Sequence, residues 1–326
     1  MSLGKATDVY LTLNNGNKIP ALGLGTANYG DGIPATIDAV KIAIKAGYRH
    51  IDTAWIYNTE NEIGIALKEL FEQGIVKRED LFITTKVGNP LSQNPELSLN
   101  QSLEKLGIEY VDLLLQHWPY GNEPVYNEDG SLNREKSIAN GTNPDKIDKD
   151  YVGAYKKIEK LYKQYPEKIK NIGVSNYSNE FLGNLINQVE VKPVINQIEL
   201  HPHLPQRDVV EFDAKHDVLI TAYSPAGSSG AANIHIPLVK ELASKYNTTV
   251  NAVLTSYHIQ EGRIVIPKSI NEQRIKDATV LVPLTKDELQ QLHEFGESNP
   301  KRFIAPDLGK TIGFKIWDQS SSVINF

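Results

Sequence analysis

Three ionisable side chains end otherwise apolar stretches, and a phenol follows the first of them. Asp52 closes His50-Ile51-Asp52, Lys86 closes Ile83-Thr84-Thr85-Lys86, and His117 closes Leu113-Leu114-Leu115-Gln116-His117, with Tyr57 five residues beyond the aspartate. Taken singly, each has an ordinary explanation: a loop cap, a rim ammonium, a core imidazole. At successive strand ends they describe one chemistry. A free phenol titrates near about 10, too high for easy proton exchange at neutral pH. An ammonium from Lys86 within reach of Tyr57 would lower that value by roughly 1–3 units, and Asp52 would keep the ammonium charged. His117 can orient a carbonyl oxygen. The set makes a proton donor facing an oxygen that gains charge, with no covalent nucleophile. A carbonyl receiving hydride from a bound cofactor is such an oxygen.

The positions of these residues depend on the elements that carry them. Eight apolar runs read as buried strands: 21–25, 50–54, 81–87, 111–117, 169–176, 194–199, 218–225 and 263–269. The first four begin about thirty residues apart, the length of one βα unit. Helical patterns lie between them. Ile37, Val40, Ala43 and Ile44 precede Gly47, and Leu97, Leu99, Leu103 and Leu106 precede Gly107. Residues 151–162, 181–189, 239–246 and 250–259 continue the alternation, and Thr285 with Glu288 forms a capping box that opens a last helix. The pattern predicts an α/β fold of the parallel (β/α)8 barrel type, preceded by a hairpin around Asn14-Asn15-Gly16-Asn17, with residues 1–326 as one domain. A doubly wound open sheet is the alternative, with fewer strands and usually a glycine fingerprint.

Two segments break the rhythm. Residues 120–150 are polar, rich in Asn, Asp and Gly, and show no helical period, which predicts a long loop on the catalytic face. The tail from Ser298 is irregular yet keeps Phe303, Ile304, Phe314 and Trp317, so it is expected to pack back over the barrel mouth as a long C-terminal loop.

Composition excludes several functions. Lys plus Arg number 34 against 40 Asp plus Glu, a net charge of -6, which argues against nucleic acid or an anionic membrane as partner. With 0 cysteines, disulfides, thiolate metal sites and a cysteine nucleophile are ruled out. Mean hydropathy is -0.35, and no apolar run approaches the roughly 18 residues of a membrane span. Residues 1–15 lack the apolar core of a secretory signal, so a cytoplasmic location is expected. Gly23-Leu24-Gly25 lacks the third glycine of a dinucleotide fingerprint. His201-Pro202-His203 is read without a metal, because the proline keeps the two imidazoles from facing one way and no carboxylate cluster follows.

The stretches Gly47-Tyr48-Arg49-His50-Ile51-Asp52-Thr53-Ala54, Gly173-Val174-Ser175-Asn176 and Ile266-Pro267-Lys268-Ser269 resemble the motifs of the aldo-keto reductases over nearly the whole chain. Leu115-Gln116-His117-Trp118-Pro119 and 200–206 look most like the fungal NADP-linked arabinose dehydrogenases and carbonyl reductases of that family. The resemblance implies Asp52, Tyr57, Lys86 and His117 as the catalytic tetrad, with Tyr57 as general acid in reduction and base in oxidation. It implies NADPH, preferred over NADH, with Ser175, Asn176 and Gln197 on the carboxamide and Tyr223 stacked on the ring. Ser224, Pro225, Gly227 and Ser228 would cover the pyrophosphate, Gly25 and Thr26 would adjoin the cofactor, and Lys268, Ser269 and Arg274 would hold the 2′-phosphate. Ala27, Asn28, Tyr29, Trp55 and Trp118 would line a pocket for a small carbonyl substrate, in a monomer or weak dimer with no metal. Two positions depart from the family. Ala27 stands where many relatives carry tryptophan, and Arg274-Ile275-Lys276-Asp277-Ala278 lacks an asparagine expected to contact adenine. A redox-sensing subunit of the same fold and a metal-dependent barrel hydrolase are the competing classes; the intact tetrad and the missing ligand cluster argue against them.

Overall fold

The computed structural model describes residues 4–304 except Tyr29 and Asp31, and of Ser229 only the backbone. The barrel is built from eight parallel strands: β1 Gly23–Gly25, β2 His50–Asp52, β3 Phe82–Val87, β4 Leu113–Gln116, β5 Ile172–Ser175, β6 Ile195–Glu199, β7 Leu219–Tyr223 and β8 Ile264–Ile266. Each pairs with its sequence neighbour. The last strand meets the first through bridges Leu22↔Val265 and Gly25↔Lys268, and Val265 N donates to Ala21 O at 2.8 Å. Gly25 is required at that seam: a Cβ there would stand 2.8 Å from Ile266 O. All eight expected strands are present, each inside its expected range.

Short strands that are apolar on both faces can only be stable when both faces are covered. Inward side chains of Phe82, Leu113, Leu115, Ile195, Ile264 and Ile266 cluster with Leu13 and Ile19 of the N-terminal hairpin. That hairpin pairs Tyr10–Thr12 with Lys18–Pro20, and its asparagines reach across the end of the barrel: Asn15 and Asn17 donate to Asn171 Oδ1 at 2.7 and 2.9 Å. Outward side chains meet the helices. Helix Pro95–Leu106 shows the local code clearly, with Asn94 Oδ1 accepting from Leu97 N, proline first, and Gly107 at φ 64 after the end. The capping box of Thr285 and Glu288 opens helix Lys286–Ser298. Helices Glu60–Glu72, Arg207–Lys215 and Glu272–Asp277 were not marked by the apolar spacing and complete the outer ring.

The segment 120–150 is not the irregular loop its sequence predicts. It holds helix Arg134–Ala139, short 3-10 turns, and a two-residue ladder of Gly121–Asn122 with Ile147–Asp148. Asparagines organise it locally: Asn133 Oδ1 accepts from Lys136 N, Asn143 Oδ1 from Asp145 N, and Asn122 Nδ2 donates to Ser137 O. Structure built from such side-chain-to-backbone bonds has no apolar period to read. Of the tail, residues 299–304 are described; Phe314 and Trp317 lie outside the described residues.

Candidate active site

In a parallel barrel the C-terminal strand ends converge on one mouth. β2 brings Asp52 there and β3 brings Lys86, while the 3-10 turn Trp55–Tyr57 after β2 folds Tyr57 back over both. Lys86 Nζ donates to Asp52 Oδ1 at 2.6 Å, to Thr53 O at 2.8 Å and to the Tyr57 hydroxyl at 3.2 Å. Asp52 and Lys86 are buried while Tyr57 is half-buried, so only the phenol of the three reaches outward. Burial pulls the Lys86 ammonium below its ordinary value and the Asp52 charge opposes that shift. The fourth member, His117, follows β4, its ring 5.6 Å from that of Tyr57 at 78°. Burial, then the Lys86 charge, holds His117 well below the usual imidazole value, so it is neutral at pH 7. A neutral imidazole carries one N–H to offer an oxygen and one acceptor nitrogen.

The residues expected to face a cofactor occupy the next three strand ends as one bonded set. Ser175 Oγ donates to Gln197 O at 2.8 Å, Asn176 Nδ2 to His117 O at 3.0 Å and to Ser175 Oγ at 3.1 Å, and Tyr223 OH to Asn176 Oδ1 at 2.8 Å. Gln197 Nε2 donates to Asp52 Oδ2 at 2.7 Å, which ties this set to the tetrad. After β7 the chain turns sharply: Ser224 has φ 54, and Gly227 and Ser228 follow at φ 91 and 60. Asn233 Nδ2 braces this loop on Pro225 O at 2.9 Å. Ser269 Oγ accepts from Asn271 N at 3.1 Å, and Asn271 Oδ1 from Arg274 N at 3.0 Å. That turn leaves the Arg274 side chain exposed, with no ion pair among the described residues, and Lys268 after β8 is exposed too. Ala278 is 2% exposed and belongs to the main core cluster. Thr26 is likewise internal, donating to Asp52 O at 2.8 Å, and Gly25 serves the barrel seam.

The expected pocket residues divide. Trp118 stacks on His117 with ring centroids 6.4 Å apart and belongs to an apolar cluster with Tyr120 and Ile304. Ala27 is half-buried beside β1. Asn28 instead turns away, its Nδ2 donating to Thr36 Oγ1 at 2.8 Å. Trp55 has 0% exposure and lies beneath the surface, its Nε1 donating to Gln101 Oε1 at 2.7 Å. Tyr29 lies outside the described residues.

Sequence reasoning passed over Arg134, which lies over the Trp55 ring at 4.3 Å and donates to Trp55 O. It also passed over Glu60, a buried carboxyl that accepts from Thr85 Oγ1 at 2.7 Å, immediately before Lys86. Burial pushes the Glu60 carboxyl above the usual range. Glu60 is an acidic residue opening a helix three positions after Tyr57, a signal that was available; Arg134 lay in a polar segment without any. His201 of His201-Pro202-His203 is buried with its Nε2 2.9 Å from Glu199 Oε1. A cavity of about 720 Å³ opens between Asn14, Tyr162, Val210 and Arg263 at the opposite end of the barrel, and no tetrad residue lines it.

The sequence and the barrel both match a known family. The model of the Aldo/keto reductase family matches residues 21–297. The chain is 38% identical over 307 residues to D-galacturonate reductase of Hypocrea jecorina, covering 93% of this chain and 96% of that one. It is 35% identical over 301 residues to glycerol 2-dehydrogenase (NADP(+)) of Saccharomyces cerevisiae, covering 91% and 94%. Among solved structures it is similar to the aldose reductase of Schistosoma japonicum (TM-score 0.77, 30% identity, 95% of this chain and 98% of that one). It is also similar to a Bombyx mori aldo-keto reductase in complex with NADP (TM-score 0.76, 33% identity, 88% and 92%). The chain belongs to the aldo/keto reductase family and is an oxidoreductase. Among the described residues no helix is long and apolar enough to cross a membrane.

Proposed function

We propose that the chain reduces aldehydes and ketones to alcohols with NADPH, and runs the reverse NADP-linked oxidation of aldoses such as arabinose. The reading rests on one observation: Lys86 Nζ lies 2.6 Å from Asp52 Oδ1 and 3.2 Å from the Tyr57 hydroxyl, inside a barrel mouth. The relatives named for D-galacturonate and for NADP(+)-linked glycerol oxidation support the carbonyl–alcohol chemistry, and the NADP-bound structural neighbour supports the cofactor.

The residues present fit that cofactor. Ser175, Asn176, Gln197 and Tyr223 offer a linked amide and hydroxyl shelf suited to a carboxamide and a flat ring. The turn after β7, with positive φ at Ser224, Gly227 and Ser228, would lie against the pyrophosphate. Arg274 and Lys268 suit a phosphate dianion. When bound, NADPH supplies the hydride.

The remaining steps fall to this chain's own groups. Tyr57 gives its hydroxyl proton to the carbonyl oxygen as charge develops there. Lys86 stabilises the phenolate left behind, and Asp52 keeps the buried ammonium charged and aimed. His117, neutral at pH 7, donates an N–H that orients the carbonyl. The stacked Trp118 and the segment 120–150 shield the mouth from water.

A panel of D-arabinose, D-galacturonate, glycerol, an α-dicarbonyl and an α-keto ester, assayed with NADP(H) and NAD(H), tests the reading. Tyr57→Phe keeps the ring and removes the donor; reduction is expected to fall by at least about 10²-fold with NADPH binding kept. Near-normal turnover in that variant would sink the mechanism. An inert wild type that binds NADPH tightly would favour the sensor class.

A further inference from the structure

Glu199 ends β6, has 0% exposure, and takes no part in the chemistry proposed above. Its carboxylate holds the start of the C-terminal tail. Oε1 accepts from Phe303 N at 2.7 Å and Oε2 from Ile304 N at 2.9 Å. His201 Nε2 lies 2.9 Å from Oε1, and Arg302 Nη1 lies 4.0 Å from Oε2. Arg302 is 3% exposed and donates through Nη2 to Gln206 Oε1 at 3.0 Å, while the Gln206 amide donates to Glu199 O. Lys301 N donates to His203 O at 2.8 Å. Strand end, following loop and tail thus close on one another around a single carboxylate.

A carboxylate is retained in a dry site only when its oxygens are engaged and its charge is met. Here both conditions are satisfied by the tail itself: two successive backbone N–H groups and the guanidinium of the residue before them. What the clamp holds also joins the core beside His117. Ile304 belongs to the same apolar cluster as Trp118 and Tyr120, and Glu199 pairs in register with Tyr223 on β7. The clamp is therefore tied through strand register to Tyr223 of the shelf that suits the cofactor, and through Ile304 to the apolar cluster of Trp118.

We infer that Glu199 is a positioning residue for substrate selection: it fixes residues 302–304 at the barrel mouth and so sets the wall that Ile304 and Trp118 present to the carbonyl compound. The clamp stands on the geometry alone; its effect on substrates rests on the reductase reading above.

Glu199→Gln in the full chain keeps the shape and removes the charge and one acceptor. Hydrogen exchange at the amides of Phe303 and Ile304 is expected to quicken by about 10- to 100-fold, the range for losing a hydrogen bond to a charged group, while amides of β2 to β4 hold their rates. KM for the carbonyl substrates is expected to rise several-fold and their ranking to change, with kcat on the best substrate and NADPH affinity little altered. Arg302→Gln, which leaves Glu199 in place, should give the same pattern more weakly and serves if the first variant does not fold. Unchanged exchange at 303 and 304 overturns the clamp. Faster exchange with unchanged KM and ranking overturns its role in selection, as does an equal fall in kcat on every substrate with weakened NADPH binding. Exchange is read without substrate or cofactor, so a chain inert toward every carbonyl overturns the reductase reading while the clamp is still decided.

Discussion

Gln197 Nε2 donates to Asp52 Oδ2 at 2.7 Å across 145 residues of chain. Lys86 takes the other carboxylate oxygen at 2.6 Å, so Asp52 is held by one cation and one amide from opposite sides of the barrel. The residue that the family resemblance assigns to the cofactor's carboxamide is therefore also a brace for the tetrad. Gln197→Met keeps much of the volume and removes the donor, leaving Asp52 Oδ2 buried without that partner. The expected loss is about 1–3 kcal/mol of stability, read by urea unfolding without cofactor, together with a lower kcat. A glutamine that serves only the cofactor would weaken NADPH binding and leave the urea midpoint where it was.

Arg274 offers the sharpest test of cofactor choice. Its side chain is exposed, with no ion pair among the described residues, and Lys268 after β8 is exposed too. NADH lacks the 2′-phosphate that the resemblance assigns to Arg274. A hydrogen bond between charged groups contributes about 1.5–3 kcal/mol, so Arg274→Ala should weaken NADPH by roughly 10- to 100-fold and NADH only slightly. Fluorescence titration of both cofactors measures it. Equal losses would show that Arg274 does not read the phosphate.

Much of this arrangement is legible in the sequence. The eight strands announce themselves because both their faces are buried, which makes each a short continuous apolar run, and an ionisable residue ending such a run stands out against it. Asp52, Lys86 and His117 were visible for that reason, and Tyr57 by its distance from Asp52. Helix Glu60–Glu72 was missed because its first turn is polar, and Arg207–Lys215 because charged residues interrupt its apolar face. The fold within 120–150 was illegible because asparagine side chains, not apolar spacing, organise it. Trp55 and Asn28 were placed at the pocket by their closeness in sequence to the tetrad. Side-chain direction sent one under the surface and the other toward Thr36, and direction is not written in spacing.

Arg134 couples the segment 120–150 to the turn that carries Tyr57. It lies over the Trp55 ring and donates to Trp55 O, two residues before the tyrosine. Arg134→Met keeps a long apolar stem and removes both the charge and the donor. The segment should loosen, KM for bulky carbonyl compounds should change more than KM for small ones, and NADPH affinity should hold. Steady-state kinetics on a size-graded aldehyde series checks this. A uniform fall in kcat, independent of substrate size, would instead mean that Arg134 acts on Tyr57 through the turn.

Stability should depend on pH through two buried groups that act in opposite directions. Burial pushes the Asp213 carboxyl from 3.8 to about 8, opposed by one hydrogen bond from Asn196 Nδ2 at 2.9 Å. Between those values the folded chain keeps the Asp213 proton and the unfolded chain releases it. Its contribution is therefore fully present below 3.8 and is lost as pH rises toward about 8, by up to about 1.4 kcal/mol per unit. His50 works the other way: burial, resisted by Asp52, lowers it from 6.5 to about 4, so stability is lost as pH falls through that window. Asp213→Asn leaves the side chain neutral at every pH and keeps an acceptor for Asn196. Thermal unfolding should then show the loss between pH 6.5 and 8 largely abolished, while the acid limb set by His50, offset by Asp213 in the wild type between about pH 4 and 6.5, emerges in the variant. An alkaline limb of equal slope in the variant would mean that Asp213 ionises in the folded chain and that another group controls the decline.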